Sequence, residues 1–558
     1  MNRRLWMMIV AAGLLVVAPV SFAAQDAGAP AHDDVLMRAL VDELDRSMKD
    51  LVLEDLERPY FIQYAAQDGV SFSISAKFGG LVRSSEDHTR TMGAGVRVGS
   101  MALDNTNVGW GVQPISLPLD DDYLALRHAI WLATDLNYKY AVEILARKKA
   151  YLKEHKIEDR PDDFTPAPVV KVIEPPGRLV VDRSRWEDNV KRLSAAFKKY
   201  HEIENANVSF YAGASTEYLV NSEGTRYRHG DTGIIIRIRA ETRGAEGMEL
   251  SDTRTYIGEQ FDQIPPMDDM LADIDTMCAD LIAGAKAPMI EHYAGPVLFE
   301  PAAAAKMFES LLASELCAKP VTIGRFGGDD TMERKIGLRI LPRGFQVFDD
   351  PNPKFLEETL LAGAYKYDDE AVRVGRVNLV EDGKLNTLLA SRAPSRKIKQ
   401  STGHGRGPYG DASAHVGCLY FQDDDAISAD ELKAELIETA AGEGLEYGLR
   451  IAAMGERGYG SLGEPLYVYK VYVADGREEP VRGLKFLPVE IRSLKDIMAA
   501  GTDRVVYNSM GGVLSSFVAP AVLFEELELT KIEQQFETLP ILKSPATRKE
   551  KKDDSADN

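Results

Sequence analysis

Three sets of side chains in this sequence have the types and spacing to do chemistry. His404, His415 and Cys418 lie close together. Two imidazoles and a thiolate are zinc-type donors, and a fourth group on a rigid frame would complete a site. The surrounding Gly403, Gly405, Gly407, Gly410 and Gly417 fit a binding loop better than a rigid frame, so a displaced metal site is the lesser reading. Arg392, Arg396, His404 and Arg406 make the same loop the best binding candidate of the chain. A guanidinium grips a carboxylate, including a peptide C-terminus, with two parallel hydrogen bonds. A solvated charge cluster is the plain alternative. Asp349-Asp350-Pro351-Asn352-Pro353 offers oxygens to calcium, but Asp-Pro and Asn-Pro favour turns and no EF-hand spacing follows. There is no G-x-S-x-G elbow. Gly403-His404-Gly405-Arg406-Gly407 lacks the Lys-Ser/Thr of a phosphate loop.

The elements that must position these groups divide the chain in two. Its 558 residues are too many for one core. Arg3-Arg4, the uncharged run Leu5 to Val17 and Ser21-Phe22-Ala23 form the three parts of a signal peptide over residues 1–23, with export to the periplasm or beyond. The apolar run is too short for a comfortable span, although an uncleaved anchor is the alternative, and no later stretch is long enough to cross a bilayer. A flexible leader follows over 24–33. The formal charge of −21 becomes −23 when Arg3 and Arg4 leave, and it disfavours nucleic acid and anionic membrane surfaces. Cys278, Cys317 and Cys418 cannot all pair, so no disulfide framework exists.

Periodicity predicts helices over 35–53, 121–156, 186–201, 268–284, 301–317 and 431–441, the last opened by the capping box Ser428 to Glu431. Strand patterns at 61–66 and 70–77 flank Gln67-Asp68-Gly69, read as a hairpin turn. Those at 207–212 and 217–221 flank Gly213-Ala214-Ser215, read the same way, and 232–241 alternates clearly. The Pro-rich stretch from Pro161 to Pro176 is a connector. The expected fold is α+β. It has an N-terminal domain with a helix-covered sheet (34–292), a larger strand-rich C-terminal domain (293–530) and a charged tail (531–558).

Several stretches together resemble the TldD/PmbA family of metallopeptidase-like proteins. They are Leu219-Val220-Asn221-Ser222-Glu223-Gly224-Thr225, which reads as a hairpin, then Gly295-Pro296-Val297-Leu298-Phe299 with the helix from Pro301. Leu388 to Arg392 with Arg396, Ser401-Thr402-Gly403 and Arg406 follow, and last Asp475-Gly476, Pro480 to Gly483 and Leu494 to Ile497. The resemblance implies H-E-x-x-x-H on the helix after Phe299 and a later Cys, which in the family's peptidases hold zinc. Here the register reads Phe308-Glu309-Ser310-Leu311-Leu312-Ala313, and Val505 to Pro520 contains no Cys. Phe308 and Ala313 replace both histidines, and only Glu309 remains. The resemblance therefore implies the family's non-catalytic type of subunit, without catalytic residues or metal of its own. Such a subunit handles peptides within a homo- or hetero-oligomer formed with a sister chain through its second half. An active metallopeptidase with non-standard ligands and a periplasmic peptide-binding scaffold are the alternatives.

Overall fold

The computed structural model describes residues 34–53, 56–108, 111–323, 331–455, 462–532 and 542. The expected signal peptide and leader, and the expected charged tail from residue 533 on, Leu542 apart, lie outside the described residues. The fold is α+β. It begins with helix α1 (Val35–Asp50), whose N-cap Asp34 accepts a hydrogen bond from the Met37 amide. Helices α2 (Tyr123–Glu154) and α3 (Arg183–Ala195) open in the same way, on Asp122 and Asp182. An aspartate there satisfies an amide that the first helical turn leaves free.

The first sheet has eight strands. Four long ones carry it: β1 (Pro59–Lys77), β2 (Gly80–Ser100), β3 (Asn205–Asn221) and β4 (Arg226–Arg243). They run antiparallel in the order β2-β1-β3-β4, and β5 (Glu249–Gly258) adds to β4. Two of the predicted turns are not turns. Gln67-Asp68-Gly69 lies mid-strand in β1, paired on both sides, and Gly213-Ala214-Ser215 lies mid-strand in β3 directly beside it. The β1 hairpin turns instead at Phe78-Gly79, both at positive φ. The Asn221–Thr225 hairpin is as expected, with the Asn221 side chain accepting from the Glu223 and Thr225 amides.

The two mid-strand glycines face each other's strands, a Cβ on Gly69 standing 3.3 Å from Ser215 and one on Gly213 3.0 Å from the Val70 carbonyl oxygen, and a crossing chain lies close by. The connector at Pro175-Pro176-Gly177 passes directly over the sheet. A Cβ on Gly177 would stand 2.3 Å from the Ser215 carbonyl oxygen, and one on Gly230 of β4 would stand 2.2 Å from the Gly177 nitrogen. Glycine serves here for close approach of backbones.

On either side of this crossing the long strands feed different cores. Ile62, Tyr64, Met92, Val96 and Val220 pack under α1 and α2. Ile74, Phe210, Ile234, Ile236 and Ile238 pack under α3 and α4 (Met267–Lys286).

The second sheet has eleven strands. Strand β6 (His292–Phe299) leads into α5 (Pro301–Leu312), shorter than the predicted helix because Ala313 is already its C-cap. Then follow β7 (Phe345–Asp349), β8 (Val377–Glu381), β9 (Cys418–Asp423), α6 (Ala429–Gly442) with its capping box intact, β10 (Tyr447–Met454), β11 (Pro465–Tyr472), β12 (Glu478–Val481), β13 (Ile497–Met510) and β14 (Leu514–Lys531). The order is β8-β7-β9-β14-β6-β10-β11-β12, with β13 also paired to β14, so the last strand lies in the middle. Helix α5 buries Ala303, Ala304, Met307, Phe308 and Leu312 in this half's core. No helix among the described residues is long and apolar enough to cross a membrane.

Candidate functional site

The helix that would carry a metal motif is α5. Phe308 has no exposed surface and stacks on Phe421 of β9, ring centroids 4.1 Å apart and 9° from parallel. Ala313 packs against the same core. The Glu309 carboxylate accepts a hydrogen bond from the Ser509 hydroxyl of β13, and one turn earlier the Lys306 ammonium donates to the Met454 carbonyl. Zinc needs about three lone-pair donors around one point. A phenyl ring and a methyl group supply none, and the remaining carboxylate already has a partner, so these residues do not fit the ion.

The Arg-bearing loop has a different placement from that of an open anion site. The Arg392 side chain is 1% exposed. Its Nε and Nη2 both donate to the Thr165 carbonyl, at 2.9 and 2.8 Å, and Nη2 also reaches Glu223 at 2.8 Å. The guanidinium lies 4.0 Å from the Phe164 ring centroid. Its main chain is held as firmly, the amide by Glu370 and the carbonyl by the Thr165 amide and hydroxyl. This arginine of the second half is thus bound into the connector and hairpin of the first. Arg396, 42% exposed, pairs with Asp159 of the first half. Arg406 pairs with Asp369 and lies over the Tyr365 ring. The loop then presses onto the first sheet: a Cβ on Gly93 of β2 would stand 2.0 Å from the Tyr409 carbonyl oxygen. The loop therefore clamps the halves together.

His404, His415 and Cys418 do not assemble into a metal site. Among the described residues no three His, Cys, Asp or Glu side chains are placed to hold an ion. The two ring nitrogens of His404 are engaged, one by Asp349 at 3.1 Å and the other by Thr402. Cys418 is buried in β9, and all three cysteines are free thiols. Asp349 of the proline-rich acidic turn also accepts from the Gly417 and Cys418 amides, so its role is to fix this loop.

Sequence reasoning missed the acidic partners. Tyr367-Asp368-Asp369-Glu370 brings three successive carboxyls under the clamp. Burial, then repulsion from Glu370, pushes Asp368 well above the usual range, and burial also raises Glu370 against the pull of Arg392. Glu217 of β3 is pushed up to about 7 by burial, Asp231 and Asp369. His229 is pushed up to about 9, first by its hydrogen bond to Asp231. A run of three acids in a loop was the visible signal, but nothing in the sequence shows that it is covered.

These shifts have a stability consequence. A carboxyl raised in the folded state binds protons that the unfolded chain releases above about pH 4.5, and a raised histidine binds one that the unfolded chain releases above about pH 6.5. Both make stability fall as pH rises. Burial lowers His415, which opposes the trend near its own titration, and Asp104 also lies below its usual range, because against burial, the largest single effect, Arg97 and the hydrogen bonds from Thr106 and Tyr60 together prevail. Unfolding in urea is expected to show a loss of about 1–3 kcal/mol between pH 5 and pH 8. Glu217→Gln should flatten that slope. A slope of the opposite sign, or one unaffected by the substitution, would refute the assignment.

Residues 292–531 match the family model of the PmbA/TldA metallopeptidase C-terminal domain. This second half belongs to the TldD/PmbA family. A metalloprotease of Methanothermobacter thermautotrophicus is 35% identical over 107 residues, 19% of this chain and 22% of that protein, so the match spans about a fifth of the relative's length. TldD/PmbA-like architecture extends over most of the chain. TldE from Thermococcus kodakarensis superposes with a TM-score of 0.59 at 12% identity, over 88% of this chain and all of that one. A protein of Thermotoga maritima, described as a candidate modulator of DNA gyrase, gives 0.56 at 16% identity over 84% and 96%. At these identities the likeness is one of fold.

Proposed function

We propose that this TldD/PmbA-family chain is an exported, non-catalytic component of a peptide-processing assembly, holding no zinc of its own and acting beside a sister chain. The observation that carries the reading is α5, where Phe308 is consumed by its stack on Phe421 and Glu309 by Ser509. Without a metal to bring the pKa of water from near 16 toward about 7, a lone carboxylate has no adequate nucleophile to activate. The clamp supports the same reading, because of the loop arginines that could receive a peptide carboxylate Arg392 and Arg396 hold the two halves together instead and Arg406 is paired with Asp369. Export rests on Arg3-Arg4, Leu5 to Val17 and Ser21-Phe22-Ala23.

One preparation tests both parts. Protein from the native host's exported fraction is expected to begin at Ala24 by intact mass. It should contain far less than one zinc per chain and leave peptides uncut unless a sister chain is added. Full-length cytoplasmic protein would sink the export reading. Stoichiometric zinc, with hydrolysis that a chelator and Glu309→Gln both abolish, would sink the non-catalytic one.

A further inference from the structure

Besides the Arg392 contacts, the two halves meet at a corner built mainly of acids. Glu217 of β3 accepts a hydrogen bond from the Gln67 amide group of β1, at 3.5 Å. Among the described residues no cation stands within ion-pair distance of its carboxyl. Its strand neighbour His229 of β4 lies between Glu174, 2.6 Å away, and Asp231, 2.9 Å away. From the second half Asp369 faces Glu217, and it carries Arg406 at 3.2 Å and the Gly407 amide at 2.7 Å. The Tyr367 ring packs on Tyr227 of β4, centroids 5.6 Å apart, and Tyr365 lies under Arg406. Burial, then Arg406, lowers His415, so it brings no charge near neutral pH. Asp368 and Glu370 flank Asp369 and accept main-chain N–H groups of their own half.

Four carboxyls, Glu217, Glu174, Asp231 and Asp369, thus share two cations, Arg406 and His229. Like charges crowded together out of water do not all ionise at once. A protonated Glu217 removes one negative charge and gains an O–H to donate. An ionised one repels Asp369 across the seam and Asp231 beside it. We propose that this corner is a proton-held latch: with Glu217 protonated, segment 365–370 lies closed on β3 and β4, and loss of that proton lifts the segment while Arg392 stays bound as the hinge. The two attachments differ in kind. Arg392 holds Thr165 and Glu223 through a guanidinium that stays charged throughout the range in which Glu217 titrates. The corner depends on one proton. Glu217 keeps that proton up to about 7 when closed, against about 4.5 for a free carboxyl. Closure is therefore firmest below about pH 4.5 and is lost as pH rises through 7. Above about 9 His229 loses its charge as well, which opens the corner further. The change is local to the seam of a folded chain, and it requires neither a metal nor a sister chain.

The test uses the folded chain without denaturant. Tyr367→Trp places an indole in the latch, and acrylamide quenching beyond that of the parent chain reports its exposure. Quenching is expected to rise between pH 5 and pH 8 with helix content unchanged, the open fraction growing by up to about tenfold per pH unit, the limit for one proton. Glu217→Gln cannot ionise and should keep the indole shielded at pH 8. Trypsin nicking of the unsubstituted chain at Lys366 and Arg373, scaled to a reference peptide at each pH, should rise in parallel between pH 6.5 and pH 8, so the result does not hang on the reporter. Quenching and nicking that both stay flat overturn the proposal. A rise that Glu217→Gln leaves unchanged overturns it too, as does one that comes only with loss of helix.

Discussion

Replacing Arg392 with alanine is expected to cost about 3–5 kcal/mol of stability, the range for removing one partner of a buried ion pair. The change deletes two hydrogen bonds to the Thr165 carbonyl, the ion pair with Glu223 and the packing on Phe164. The Glu223 carboxylate and the Thr165 carbonyl lose those donors, and that is the larger part of the cost. Arg392→Lys should recover little, because a point-like ammonium cannot fork to the Thr165 carbonyl and Glu223 while lying flat on a ring. The bonds lost join the first half to the second, so the urea transition of Arg392→Ala should also broaden or split in two. A single transition shifted by less than about 1 kcal/mol would show that the clamp does not hold the halves.

The second large effect concerns α5 and has an unusual pattern. Phe308→Ala should cost about 3–5 kcal/mol, the transfer term plus the cavity left against Phe421. Glu309→Gln should cost less than about 1 kcal/mol, since an amide can still accept from Ser509. In a working zinc peptidase the order of importance for activity would be reversed, with the glutamate indispensable as general base. Peptide hydrolysis by a mixture of this chain with an active sister chain separates the cases. It is expected to survive Glu309→Gln unchanged and to fall with Phe308→Ala only as far as folded protein falls. Loss of that activity in a folded Glu309→Gln variant would place the carboxylate in the chemistry.

Much of the fold was legible because local patterns agreed with it. The capping box at Ser428, the alternation in β4 and the apolar stripe of α1 each stated their element. The two misread turns failed for one physical reason. Gly69 and Gly213 to Ser215 look like turn residues because glycine and small polar side chains usually accompany reversals. Here they lie side by side in the middle of paired β1 and β3, where a Cβ on Gly69 would press on Ser215 and one on Gly213 on the Val70 carbonyl, a contact between segments that no window of sequence contains. The site shows the same division. The absence of zinc donors at Phe308 and Ala313 could be read directly. Burial of Arg392 and His404 could not, since it depends on Phe164, Glu223 and Asp349, far away along the chain. A Gly- and Arg-rich stretch looks identical whether it waits for a ligand or is already occupied by its own protein.

The position of β14 has a consequence for the order of assembly. It pairs β6, whose partners lie more than two hundred residues earlier, and β9, about a hundred residues earlier. Contacts this distant in sequence form slowly, because a long loop must close before they return any energy. A ribosome delivers β14 after every other strand of its sheet. Until then β6 and β9 have no neighbour on their shared side, and each exposes a row of unsatisfied amides and carbonyls. The first sheet can close while the second is still being made, but the second must wait for its own centre. Chains truncated before residue 514 should therefore accumulate as aggregates with a native-like first half, and holdase chaperones should find their binding sites along β6 and β9.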